Sequence, residues 1–473
     1  MIEDTIRQTA TMRSPRRRTL LASLLALAVV LLTLSSGTVV AATTFTVNST
    51  DDAADIEIAD DECDSDPDNG EHCTLRAAIE EANDTAGADT IDFDIEEGTN
   101  PAKTIYPTSQ LPPITDAVTI DGYTQADASP NGLSEGNDAV LNVQLDGQDA
   151  GAGAIGLVVE ASDCTIRGLV IRRFDFDGIR ITGAGATGNR VEGNFIGINR
   201  DGVTDRGNGG GVYVTSDSNT VGGPEPEMRN VISGNDESGV LISGDGTTGN
   251  AVEGNYVGTT ADGTADLGNL FGVYVFDASD NTIGGTAEDT RNVVSGNDQS
   301  GLNIAGGDAS GNRIEGNHVG TTADGSRALG NTAAGVSIQS ADLTTVGGTT
   351  ARVGNRIAHN GQDGVSIVNN DSAGNQVLSN RIYANGGLGI DLAGGTENAN
   401  GVTANDTGDP DNGPNGLQNF PLISSATRSN SSGLTTISGK LNSDPSQDFT
   451  IQCFLTTNRT PASAYGEGSR LLA

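Results

Sequence analysis

Tryptophan is absent from this chain, and rings of any kind make up only 4% of its 473 residues. A large aromatic core is excluded, so burial must come from small aliphatic side chains. Lysine occurs twice, at Lys103 and Lys440, against a formal net charge of −38. So one-sided a balance disfavours nucleic acid and anionic membranes, and keeps the chain soluble by self-repulsion. It resembles the composition of proteins from high-salt or calcium-rich surroundings. Histidine occurs three times, at His72, His318 and His359, and no Arg-x-Lys pair exists. No ten-residue helical pattern separates the short apolar runs, which excludes alternating strand–helix units.

What is abundant is glycine, 66 residues of it, and repetition. Self-similar units open at Asn189, Asn250, Asn312 and Asn375, in steps of 61, 62 and 63. Val221-Gly222-Gly223 recurs as Ile283-Gly284-Gly285 and Val346-Gly347-Gly348. A fixed period of this length marks a stacked array. Such order also argues against disorder despite the charge. The apolar runs are short, alternating and rich in Val and Ile, with Gly, Asn and Asp between them, which is strand and turn chemistry. The expected fold is all-β: a right-handed parallel β-helix whose strands pair with their equivalents one coil on. Each unit divides into three pieces of roughly 20 residues, read as three coils. Alternation turns Val212 and Val214 inward and Tyr213 outward. Asn194, Asn255, Asn317 and Asn380 mark one turn in successive units and read as an inward asparagine ladder.

Five arginines and two acids lie in residues 1–42, so the remainder carries −41. Arg13 and Arg16–Arg18 precede an apolar run from Leu20 to Leu34, followed by small residues. This is the layout of an export signal. The run is short of the ~20 residues that span a bilayer, so only an uncleaved signal would touch the membrane. Cys63 and Cys73, close together in an exported chain, are expected to form a disulfide. Residues 43–88 form an N-terminal cap built on the amphipathic stretch Thr74–Asn83, with Leu75, Ala78, Ile79 and Ala82 on one face. The β-helix follows over 89–393, an acidic Gly/Asn/Asp-rich connector over 394–419, and a partial, truncated β-sandwich over 420–473.

Cys73-Thr-Leu-Arg-Ala-Ala-Ile-Glu-Glu-Ala-Asn83 resembles the motif of the CSLREA-domain family, with Thr for Ser and Ala for Glu. Thr119-Ile-Asp-Gly122, Ile166-Arg-Gly-Leu-Val-Ile171 and Gly416-Leu-Gln-Asn-Phe-Pro421 resemble segments that follow it in such proteins. The resemblance implies an exported right-handed β-helix, extracellular or at the cell surface. It implies little about activity, since a fold is not a function.

Candidate sites are few. Arg172–Arg180 is the densest charged cluster. Alternation would put Asp175 and Asp177 on one face beside Arg173, where paired carboxylates do acid–base work. A turn and a solvated face are the alternative. Asp201, Asp262 and Asp324, each before a glycine, recur with the array. At three coils apart, about 14 Å, they are too distant to share one ion, whose ligands lie about 2.3–2.6 Å away. Asp406, Asp409 and Asp411 concentrate oxygen ligands in the connector, which suits Ca²⁺, with a plain acidic linker as the alternative. Phe195, Tyr256 and His318 form one outward column and Tyr213 and Tyr274 another, where rings can stack on sugars; ordinary surface aromatics filling the pleat are the alternative. The leading expectation is a surface scaffold, adhesin-like, binding a polysaccharide or cell-surface glycan and stabilised by calcium. The rival is a lyase, hydrolase or epimerase acting on acidic glycans.

Overall fold

The computed structural model describes residues 42–472 apart from 59, 68–71, 97–101, 431–432, 446 and 457–466. The expected export signal, residues 1–42, lies outside these save for Ala42.

The array is a parallel β-helix with three faces. An eleven-stranded sheet runs from Thr44–Val47 to Gln376–Leu378. A ten-stranded sheet runs from Lys103–Ile105 to Arg381–Tyr383, and a nine-stranded sheet from Leu157–Val159 to Ile390–Ala393. Each full coil gives one strand to each, as in Ala251–Glu253, Tyr256–Val257 and Phe271–Phe276. Inward residues of the first sheet, such as Ile166, Val191, Val221 and Val252, stack in register and are at most 2% exposed. Val212 and Val214 point inward as expected.

One expectation is corrected. Asn250 and Asn281, equivalent corners of consecutive coils, are 31 residues apart. The repeat unit is therefore two coils, not three. The two differ in where their long connection falls. In one it joins the second sheet to the third, between Val257 and Phe271; in the next it joins the first to the second, between Gly284 and Val293. This alternation doubles the sequence period. Each piece taken for a coil carries two strands, on two of the three faces, so three pieces make two turns.

Three asparagine ladders, rather than one, run along the corners. The expected ladder also includes Asn230, Asn292 and Asn355. A second passes through Asn189, Asn219, Asn250, Asn281 and Asn312. A third passes through Asn208, Asn235, Asn269, Asn297, Asn331, Asn360 and Asn385. In each step a backbone N–H donates to the next coil's Oδ1, as Asn269 does to Asn297 at 3.1 Å. The Nδ2 donates back to a carbonyl of the preceding coil, as Asn269 does to Ile232. Asparagine suits this position because one amide both donates and accepts. It continues the sheet's hydrogen bonding around corners where backbone alone cannot, and among the ladder amides the buried Asn189 Nδ2, at the start of the second ladder, is the one without a partner.

Both ends of the stack are closed. Helix Leu75–Asp84 packs Leu75, Ala78, Ile79 and Ala82 onto the first coil, with Thr74 capping its start. The Cys63–Cys73 disulfide is present. Arg76 ties the cap to Asp52 and to the carbonyls of Ser109 and Gln110. At the other end Asn415, Gln452 and Glu467 accept from the backbone of Asn375, Ser379 and Asn385. The described residues of 420–473 hold strands, but as two separate antiparallel pairs rather than sheets packed face to face. They are Leu422–Arg428 with Thr435–Lys440, and Phe454–Leu455 with Arg470–Leu471. The first has no opposing sheet among the described residues, so Ile423 and Leu434 stay exposed. The second is spent on the coil end, where Gly468 accepts from the Ile382 backbone.

Candidate functional site

The column Phe195, Tyr256 and His318 is in register on the second sheet, but it is not an exposed surface. All three rings are buried, at 2%, 3% and 6% exposure. The reason is the long connection that follows each. Hairpins around Asp201, Asp262 and Asp324 fold over the rings and bond to one another: Ala261 N–H donates to Gly202 and Ala323 N–H to Gly263. Gly263 has φ +67°, and a Cβ there would lie 2.9 Å from the Tyr256 ring and 2.6 Å from Ala323. Only glycine lets the hairpin close so tightly. Tyr256 is covered further by Arg229, 4.6 Å over its ring, and its hydroxyl accepts from the Gly136 backbone. Phe195 and Tyr256 are thus core, not ligand-binding residues.

The aspartates of these hairpins are turn residues. Burial pushes Asp201 up, but hydrogen bonds from Thr204 and Val203 outweigh it and hold the group at about 2. They are two coils apart, about 10 Å, still too far for a shared ion.

The Arg172–Arg180 cluster does not form a convergent acid–base pair. Arg173 is turned back, at φ +59°, to pair with the fully buried Asp146, which also holds Arg172. Asp175 lies in the bend before the strand and accepts from the Gly153 backbone. Asp177 begins strand Asp177–Ile181 and is paired with Arg180. Alternation holds only from Asp177 onward, so the expected common face for Asp175 and Asp177 does not exist. Burial raises Asp177, and Arg180 opposes it.

The outer face of the third sheet is different. Tyr213, Leu241 and Tyr274 stand in register on consecutive coils and are half-buried. Phe271 and Phe276 flank Tyr274, with ring centroids 5.3 and 5.8 Å away, and Phe276 is 41% exposed. The short strand-to-strand connections at this edge leave the face uncovered. Arg180 lies 5.1 Å over the Tyr213 ring. Further along, Gln339 donates to both Asn303 and Ser337, and Asp391 ends the column. Burial, then Asp363 and Glu397, push Asp391 up to about 7. Sequence reading found Tyr213 and Tyr274 but missed Phe271, Phe276 and Asp391. Alternation from Val273 and Val275 already points Phe276 outward.

The connector brings Asp406, Asp409 and Asp411 together, with ligand oxygens all within 4.8 Å of one another. Asp409 is engaged by Ser443 and the Asn419 backbone. Asp411 Oδ1 is buried and has no hydrogen-bond partner. Burial, then Asp406, raise the Asp411 carboxyl. A hard cation would satisfy that oxygen and offset the repulsion.

No protein-family model matches the chain, and no curated protein does. Among solved structures it is similar to the Dettilon tailspike protein, at 16% identity and TM-score 0.39 over 67% of this chain and 57% of that one. It is similar to a mutant of the periplasmic alginate epimerase AlgG, at 16% and 0.32, over 61% and 64%. It is also similar to the A-module of the Azotobacter vinelandii mannuronan C-5 epimerase AlgE4, at 13% and 0.39, over 71% and 87%. The chain spans less than two thirds of the length of the first two.

Proposed function

We propose that this chain is an exported surface scaffold that holds polysaccharide on the outer face of its third sheet without turning it over. The observation that carries this reading is the uncovered ring cluster of Phe271, Tyr274 and Phe276 on a regular face. Rings on a rigid sheet present large contact area at little entropic cost. Arg173, Asp175 and Asp177 are engaged elsewhere, which speaks against catalysis in that cluster. Calcium in the Asp406–Asp411 loop is part of the proposal, as a stabiliser of the connector. So is membership of the CSLREA-like exported proteins.

One observation favours a second reading, an enzyme on glycans. Asp391, held near 7 on the same face, has the protonation range of a general acid. The test is an incubation of the full chain in high salt, with and without Ca²⁺, against neutral and acidic polysaccharides. Retention on a glycan gel with no new reducing ends or unsaturated uronates is expected. Product that disappears in Asp391→Asn would overturn the scaffold reading in favour of the enzyme.

A further inference from the structure

We infer that the third-sheet face takes a neutral, extended polysaccharide running along the coil stack. This deepens, and rests on, the binding reading above.

The first argument is spacing. Tyr213 pairs with Leu241 and Leu241 with Tyr274, so the two tyrosines are two coils apart in one column. At the strand spacing that is about 10 Å. It is the length of a disaccharide in a ribbon-like, β-1,4-linked chain. Such a chain along the column sets one sugar face on each tyrosine, with Leu241 beneath the sugar between them. A helical or strongly bent glycan would meet only one ring.

The second argument is charge. Arg180 is the one base in this column among the described residues, and Asp177 already neutralises it. Asp277 follows the ring cluster in sequence and acts on Tyr274. A polyuronate would bring carboxylates onto this face with no free cation to meet them, against a chain of net charge −38. Desolvating an unpaired charge opposes binding even where salt screens the long-range term. Beyond Tyr274 the face continues as the Gln339 amide and Ser366, which suit hydroxyl groups rather than anions.

The experiment is calorimetric titration of the full chain, in high salt, with three hexasaccharides: a β-1,4-glucan, an oligouronate and an oligoglucosamine. The neutral hexamer is expected to bind at least ten-fold more tightly than the oligouronate and than its own disaccharide. Tyr213→Ala and Tyr274→Ala should each weaken it at least ten-fold. Tyr274→Phe, which keeps the ring and the fold, should stay within a few-fold of the native chain. Tighter binding of either charged hexamer would overturn the neutral class while leaving the binding reading intact. Neutral binding unchanged by both alanine variants would overturn the location. Failure of all three hexamers would sink the binding reading itself.

Discussion

Glu467 accepts hydrogen bonds from both the backbone and the side-chain amide of Asn385, at 3.1 and 3.3 Å. The third asparagine ladder therefore ends on a carboxylate, which also takes the Ala384 N–H. Glu467→Ala leaves the Ala384 and Asn385 N–H groups without an acceptor, while the Asn385 amide keeps the Ile357 carbonyl, at a cost of about 1–3 kcal/mol for an unsatisfied group. Glu467→Gln keeps an acceptor and should recover most of it. Hydrogen exchange at Ala384 and Asn385, with urea unfolding, checks this. Exchange unchanged in the alanine variant would show that the C-terminal segment does not close the stack.

His318 occupies the position that Tyr256 holds two coils earlier and Phe195 four coils earlier. Burial, then Arg291 and Arg356, hold its imidazole down at about 3. A folded-state pKa below the unfolded value means that folding releases a proton. Its stability contribution is full above the ordinary value near 6.5 and is lost as pH falls toward 3. His318→Phe should flatten the acid limb of the thermal midpoint between pH 6 and 4. A limb as steep as the native one would place the acid sensitivity elsewhere.

Asp391 works with the opposite sign. Its folded value is raised to about 7, so its contribution is present below the ordinary carboxylate range and lost as pH rises to about 7. Asp391→Asn should raise the thermal midpoint at pH 8 and change little at pH 4. Equal shifts at both would mean that Asp391 is ionised throughout.

The Asp406, Asp409 and Asp411 carboxylates should bind Ca²⁺, and binding to the folded state alone raises stability. Thermal unfolding in Ca²⁺ should exceed that in chelator by several degrees, with Mg²⁺ giving less because it demands stricter geometry. Asp411→Asn should remove the difference. Identical midpoints in chelator would leave the loop as an acidic linker.

Much of the fold was legible because its rules are local. Two-residue alternation, Gly-Asn corners and a constant period each follow from backbone geometry, so parallel strands, Val212 and Val214 inward, and the ladder position of Asn255 could be read off directly. The helical cap and the Cys63–Cys73 pairing were legible for the same reason: both lie within a short stretch of chain. The coil count was not, because period alone cannot tell two unlike coils from three like ones.

The candidate site divides along the same line. Sequence by itself determined which residues point away from the core: Tyr213 and Tyr274 on one face, Tyr256 and Phe195 on another. Only the tertiary structure decided which of those faces meets water. The hairpins that bury Tyr256 come from the next long connection and stack on hairpins two coils away, and the Arg229 that covers it lies on the preceding coil. Those are contacts between turns of the solenoid. They depend on how coils are stacked, and an alternating pattern within one strand carries no record of it.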